Sequence, residues 1–207
     1  MALTPLGAEL VIWTDVDPAA EADFNAWYDE EHMGERLACP GIEEGSRWVS
    51  LGGPARRYLA LYAATSLEVF ESEFYCQALA HQTEWSHRNF SVMRRPLRLV
   101  GRREMISGAG RLGGFCAVVP LASAPRNAAE DWLVAGGGVV GGHILVADPA
   151  LSTPVAGGSV AASDPRALVI IEGTRADAVA ARAHAVAEAI PDAAEPTILQ
   201  LLWGIRS

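Results

Sequence analysis

The order of the predicted elements constrains this chain more than any single motif. AELVIWTDV (residues 8–16) reads as a strand. A helix is predicted over residues 19 to about 32. Asp17 is its N-cap, Pro18 suits its first position and Glu21 opposes its dipole; Gly34 or Pro40-Gly41 ends it. IEEGSRWVSL (42–51) alternates like a half-buried strand, GGP (52–54) is turn chemistry, and RRYLALYAA (56–64) completes a hairpin. Ser66 caps a helical region, continuous or broken, that runs through EWSHRNFSVM, and PLRLVGRREMI (96–106) is a fourth strand. After SGAGRLGG (107–114) the order recurs. A strand over 115–123 leads to a short helix over 126–135, a strand over 139–148 and a Pro/Gly/Ser-rich loop over 149–166. A strand over 167–174, an alanine-rich helix over 175–190 and a strand over 197–206 follow.

This is β-α-β-β-α-β, the ferredoxin-like order, met twice at a spacing of roughly 105 residues. The expected fold class is α+β. Residues 1–106 form one unit, 107–114 a linker and 115–207 a second unit. A single unit leaves one face of its four-stranded sheet bare, and that face has to be covered. The second sheet is available in the same chain. Two sheets packed face to face, with helices outside, are therefore expected to enclose a barrel-like interior with a pocket in it.

Half of the 207 residues are apolar and a fifth are charged, ample for a packed core. The net charge of −9 argues against a phosphate-backbone partner. The one basic concentration, Arg94-Arg95, Arg98 and Arg102-Arg103, flanks a strand and reads as solvated. No nucleic-acid partner is expected. The apolar stretch VAGGGVVGGHILVA (134–147) is too short and too rich in glycine to span a bilayer, and MALTPLGAELVIW lacks the pattern of a signal peptide. Cys39, Cys76 and Cys116 are odd in number and have no metal or redox spacing. They read as reduced thiols of a cytoplasmic protein, with no structural metal and no cofactor.

The candidate chemistry lies in FNAWYDEEHMGERLACPGI (24–42). At about 100° per residue, Phe24, Trp27 and Tyr28 share one helix face, Glu31 falls in the middle of that face and His32 at its edge. A buried carboxylate is costly unless it is paired, so Glu31 needs a partner or a cavity. His32 is then either a general base or acid or a structural anchor held by Tyr28. In the first strand Glu9, Val11, Trp13 and Asp15 point one way, which places Trp13 and Asp15 on the interior face. His81, Glu84 and His87 are spread too widely for a helix-borne metal site, and His143 and His184 read as structural or surface residues.

FNAWYDEEHMGERLACPGI, followed by WVSLGG and RRYLALYAATS, resembles the dimeric α/β-barrel superfamily over residues 8–106, and EthD-like and related members most closely. The matching positions are Trp27, Tyr28, Glu31, His32, Pro40, Gly41 and Tyr58. The second half keeps the element order without the WYxxEH segment, which implies a fused pair with one competent pocket and one degenerate half. The resemblance implies a fold and a range of activities: cofactor-free monooxygenases, lactone isomerases, dehydratases, haem enzymes and proteins without known activity. Three functions follow. The first is an enzyme doing acid–base chemistry on an apolar or aromatic metabolite: His32 moves the proton, Glu31, Asp15 or Arg36 steadies charge, and Trp13, Trp27, Tyr28 and Trp48 line the pocket. The second is a ligand-binding protein with the same pocket and no chemistry. The third is a haem protein with His32, or a histidine of 81–87, as axial ligand. The expected assembly is a monomer or a homodimer.

Overall fold

The computed structural model describes residues 6–53, 56–108, 111–125, 132–153 and 164–206. Its strands are β1 (Ala8–Val16), β2 (Ile42–Ser50), β3 (Tyr58–Ala64), β4 (Met93–Ser107), β5 (Phe115–Leu121), β6 (Val139–Ala147), β7 (Ala167–Gly173) and β8 (Thr197–Arg206). They close into one antiparallel barrel in the order β1-β3-β2-β8-β5-β7-β6-β4. The sheets expected to lie face to face are thus also joined along both edges. Glu44 of β2 pairs with Arg206 of β8, and Gly101 of β4 pairs with Ala147 of β6. Closure leaves no bare edge among these strands. At the second seam the backbones pass so closely that a Cβ on Gly101 would collide with the Val146 carbonyl.

Alternation in the strands sorts side chains into three cores. Val11 and Trp13 point inward, together with Trp48, Leu59, Leu61, Leu97, Leu99, Cys116, Val118, Leu145, Leu168, Ile170 and Leu199. Leu10 and Val16 of β1 point outward into a layer with Phe24, Trp27, Tyr28 and Tyr62. On the other side Ala117, Val119, Val169 and Ile171 meet Val179, Ala183 and Val186 of α5 (Ala176–Ala189). β7 is buried on both faces, which explains its unbroken run ALVII.

The barrel interior corrects one expectation. Where a pocket between the sheets was foreseen, large apolar side chains from all eight strands occupy most of the interior among the described residues, with polar groups at one end. The helical layer over the first four strands is more varied. It comprises α1 (Glu21–Trp27), a π-helical turn (Tyr28–His32), α2 (Met33–Leu37), α3 (Glu73–Ala80) and α4 (Glu84–Val92). Asp17 caps the entry by accepting from Ala19 N at 3.1 Å. Ser72 and Thr83 cap α3 and α4, whereas Ser66 makes no side-chain cap. Most of the short helix expected over 126–135 lies outside the described residues; its described end, 132–135, is not α-helical.

Candidate functional site

The π-turn YDEEH determines which side chains face inward. A π-turn carries one residue more than an α-turn, and such turns recur at functional sites. The extra residue rotates everything after it by about 100° relative to a regular helix. His32 therefore occupies the buried position, at 6 % exposure, where regular phase would put Glu31. Glu31 turns aside and accepts from Thr83 Oγ1 at 2.6 Å, which answers its need for a partner.

Aromatic rings enclose His32. It stacks on Trp27 with centroids 4.1 Å apart and meets Tyr28 and Phe90 edge to face at 5.3 and 5.8 Å. Trp27 is fixed in turn by donating Nε1–H to Ser86 Oγ at 3.1 Å. Arg47 of β2, 2 % exposed, locks the turn from below. It donates to Asp29 Oδ1 at 2.9 Å and to Asn25 Oδ1 at 2.8 Å, and it lies 4.2 Å over the Tyr28 ring. Burial pushes the His32 imidazole down to about 4; Glu35 opposes this, while Arg36 and Arg47 add to it. The ring is therefore neutral at neutral pH. Its Nδ1 lies 3.6 Å from Glu35 Oε2, and Arg36 NH2 lies 3.8 Å from the same oxygen.

Of the residues singled out in the sequence, Trp27, Tyr28, Glu31, His32 and Arg36 lie in this layer. Trp13, Trp48 and Asp15 do not join them. Trp13 and Trp48 belong to the barrel interior, so the sheet separates them from His32. Asp15 sits at the barrel rim, accepting from Arg57 N at 2.9 Å and Arg95 Nε at 2.8 Å. Trp13 and His32 lie on opposite sides of the sheet, because the odd positions Val11 and Trp13 of β1 face the barrel interior and the helices pack on its even face.

Sequence reasoning missed a second polar cluster, at one end of the barrel interior. Glu9 Oε2 lies 2.8 Å from His143 Nε2, and His143 Nδ1 lies 3.3 Å from Arg103 NH2. Since arginine only donates, Nδ1 accepts, and Nε2–H donates to Glu9. Arg103, expected to be solvated, and His143, expected to be structural or on the surface, are both largely buried here. Inward alternation of Glu9 was the available signal; its partner lies 134 residues away in sequence and could not be read.

Glu172 of β7 completes this end, accepting from Gly113 N at 2.9 Å. Burial pushes its carboxyl up from 4.5 to about 7, against the Gly113 N–H and with the Glu9 charge. A raised carboxyl favours the fold while it is protonated. That contribution is complete below pH 4.5 and is lost as pH rises through 7, up to about 3 kcal/mol. Glu172→Gln is therefore expected to stabilise the protein by about 2–3 kcal/mol at pH 8 and to change little at pH 4. Urea unfolding at both values checks this; an equal shift at both would contradict it.

Of the histidines named for the haem reading, His32 is packed among rings, while His81 and His87 are exposed and His81 Nδ1 lies 3.0 Å from the Gln77 carbonyl of its own helix. Among the described residues no group of three or more His, Cys, Asp or Glu is placed to hold a metal. None of the described helices is long and apolar enough to cross a membrane.

No protein-family model and no curated protein matches the chain. Solved structures do. A monooxygenase-like protein from Fusobacterium nucleatum superposes with a TM-score of 0.60 at 8 % identity, covering 99 % of this chain and 96 % of its own. An anthrone oxidase-like protein gives 0.58 at 10 % identity over 98 % and 94 %. A dye-decolorizing protein from V. cholerae gives 0.53 at 11 % identity over 100 % and 96 %. With eight antiparallel strands closed into a barrel and near-complete overlap with these structures, the chain has the dimeric α/β-barrel fold.

Proposed function

We propose that this protein is a small-molecule enzyme doing cofactor-free acid–base chemistry on an apolar or aromatic metabolite, with His32 as proton carrier in the helix–sheet layer. We read the chain as two fused ferredoxin-like units, 1–106 and 115–207, the first bearing the EthD-like WYDEEH segment and the site. The observation that carries this reading is a buried neutral imidazole stacked in an aromatic cage, with Nδ1 facing Glu35 Oε2 at 3.6 Å and no closer partner among the described residues. The anthrone oxidase-like and monooxygenase-like names of two structural neighbours agree with it.

Isomerase, dehydratase and monooxygenase reactions of this type share one step, removal of a proton from an activated C–H or O–H. Glu35 beside Nδ1 favours the tautomer with hydrogen on Nδ1, which leaves Nε2 to accept the proton. The low basicity of the free ring supports a second reading, a binding protein with the same site and no chemistry. Three free cysteines fit a cytoplasmic setting, and a monomer or homodimer fits a closed barrel.

The test is deuterium exchange from D2O into a panel of phenolic and enolisable aromatic compounds, followed by NMR. A positioned base contributes about 10²–10⁴-fold. His32→Gln should slow exchange by at least about 100-fold in the folded protein. An unchanged rate in that variant would refute the role of His32. Binding without exchange in the native protein would favour the second reading.

A further inference from the structure

Five of the seven buried side-chain polar atoms that lack a hydrogen-bond partner among the described residues lie in one place. They are His32 Nδ1, Glu35 Oε2, Arg36 Nε, Tyr62 Oη and Gln82 Oε1. Buried polar groups are normally paired, and each that is not costs about 1–3 kcal/mol. A cluster of them on elements otherwise well packed marks a place built for something polar.

The cluster is held together by contacts just too long to be hydrogen bonds. Glu35 Oε2 stands 3.6 Å from His32 Nδ1 and 3.8 Å from Arg36 NH2. Arg36 is 3 % exposed, and among the described residues its NH2 donates one hydrogen bond, to the Ala78 carbonyl at 3.4 Å. Gln82 Nε2 donates to that same carbonyl, so the arginine shares even this acceptor. Tyr62 of β3 is fully buried with its hydroxyl facing that of Tyr28, and the Arg36 and Arg47 charges act on it. Two buried guanidiniums thus face this layer. Arg47 is occupied by Asp29 and Asn25. Among the described residues the one carboxylate at ion-pair distance from Arg36 is that of Glu35, which is 31 % exposed.

We propose that Arg36 and the Tyr62 hydroxyl form an oxyanion subsite, and that the ligand is a small aromatic acid or phenol bound as its conjugate base against Trp27 and Tyr28. This rests on the reading of the helix–sheet layer as the ligand site and adds the charge and class of the ligand. The Glu35 carboxylate marks the position that the ligand's own oxygens take, and it gives way when they arrive. A buried guanidinium with one part-buried partner at ion-pair distance gains most from an anion that reaches it dehydrated. The rings supply the apolar walls that select an aromatic body.

The test uses benzoate and its neutral counterpart benzamide, titrated into the full chain and followed by NMR. Benzoate should bind at least 10-fold more tightly and should shift the resonances of His32 and Tyr62. Arg36→Met keeps the apolar stem and removes the charge; it should abolish the preference for benzoate. Tyr62→Phe should weaken benzoate about threefold to tenfold while leaving benzamide unchanged, and it keeps the question open to test if Arg36→Met does not fold. Glu35→Gln should tighten benzoate. Equal affinity for the two probes, or a preference that survives Arg36→Met, would overturn the proposal. His32→Gln separates the two ideas. A benzoate preference retained in this variant supports the subsite whether or not exchange is lost, and loss of exchange in a protein without that preference removes the subsite alone.

Discussion

Glu9→Ala is expected to cost about 3–5 kcal/mol, the range for breaking a buried ion pair by removing one partner. Glu9 is buried, and it holds His143 by a 2.8 Å hydrogen bond and Arg103 at ion-pair distance. Without it the His143 Nε2–H has no acceptor and Arg103 keeps its charge in a largely apolar interior. Burial and the Arg103 charge already hold His143 below the ordinary histidine range, so the ring does not gain a proton to compensate. Glu9→Gln retains an acceptor for Nε2–H and should cost about half as much. Urea unfolding near pH 7 gives the comparison. A loss below 1 kcal/mol for Glu9→Ala would show that the cluster contributes nothing to closing the barrel.

Trp27→Ala should act on the core and the site together. Trp27 is fully buried, touches Phe24, Tyr28, His32 and Phe90, and donates to Ser86. Truncation of a buried tryptophan costs about 3–5 kcal/mol. It also admits water to one face of His32. Since burial is what pushes that imidazole down to about 4, its titration should move upward toward 6.5. The C2 protons of the five histidines, followed by NMR against pH, report this directly. A His32 that still titrates near 4 in a folded Trp27→Ala protein would mean that the neighbouring arginines, not the cage, set its value.

Fold and site were legible to different depths. Alternation in AELVIWTDV correctly turned Glu9, Val11 and Trp13 inward, and the breaks at GGP and SGAGRLGG separated strands that the structure separates. Helical phase failed at one turn. No local signal marks YDEEH as π, and the extra residue exchanges the places of Glu31 and His32. Register between distant strands was beyond reach for the same kind of reason. Nothing near Gly142 and His143 announces Glu9, since the pairing exists only once β1, β4 and β6 lie side by side.

The seam between β2 and β8 has a consequence for how the chain is made. Residues near 45 must wait for residues near 205 before their backbone hydrogen bonds are complete. Long-range pairing of this kind slows folding, because loop closure is unfavourable until the late contact forms. A nascent chain that has left the ribosome as far as β4 carries two naked strand edges, β2 on one side and β4 on the other. Both are templates for pairing with a neighbouring copy. Crowded synthesis should therefore favour exchange of halves between molecules, and chaperone dependence should fall once β8 has emerged and clasped β2.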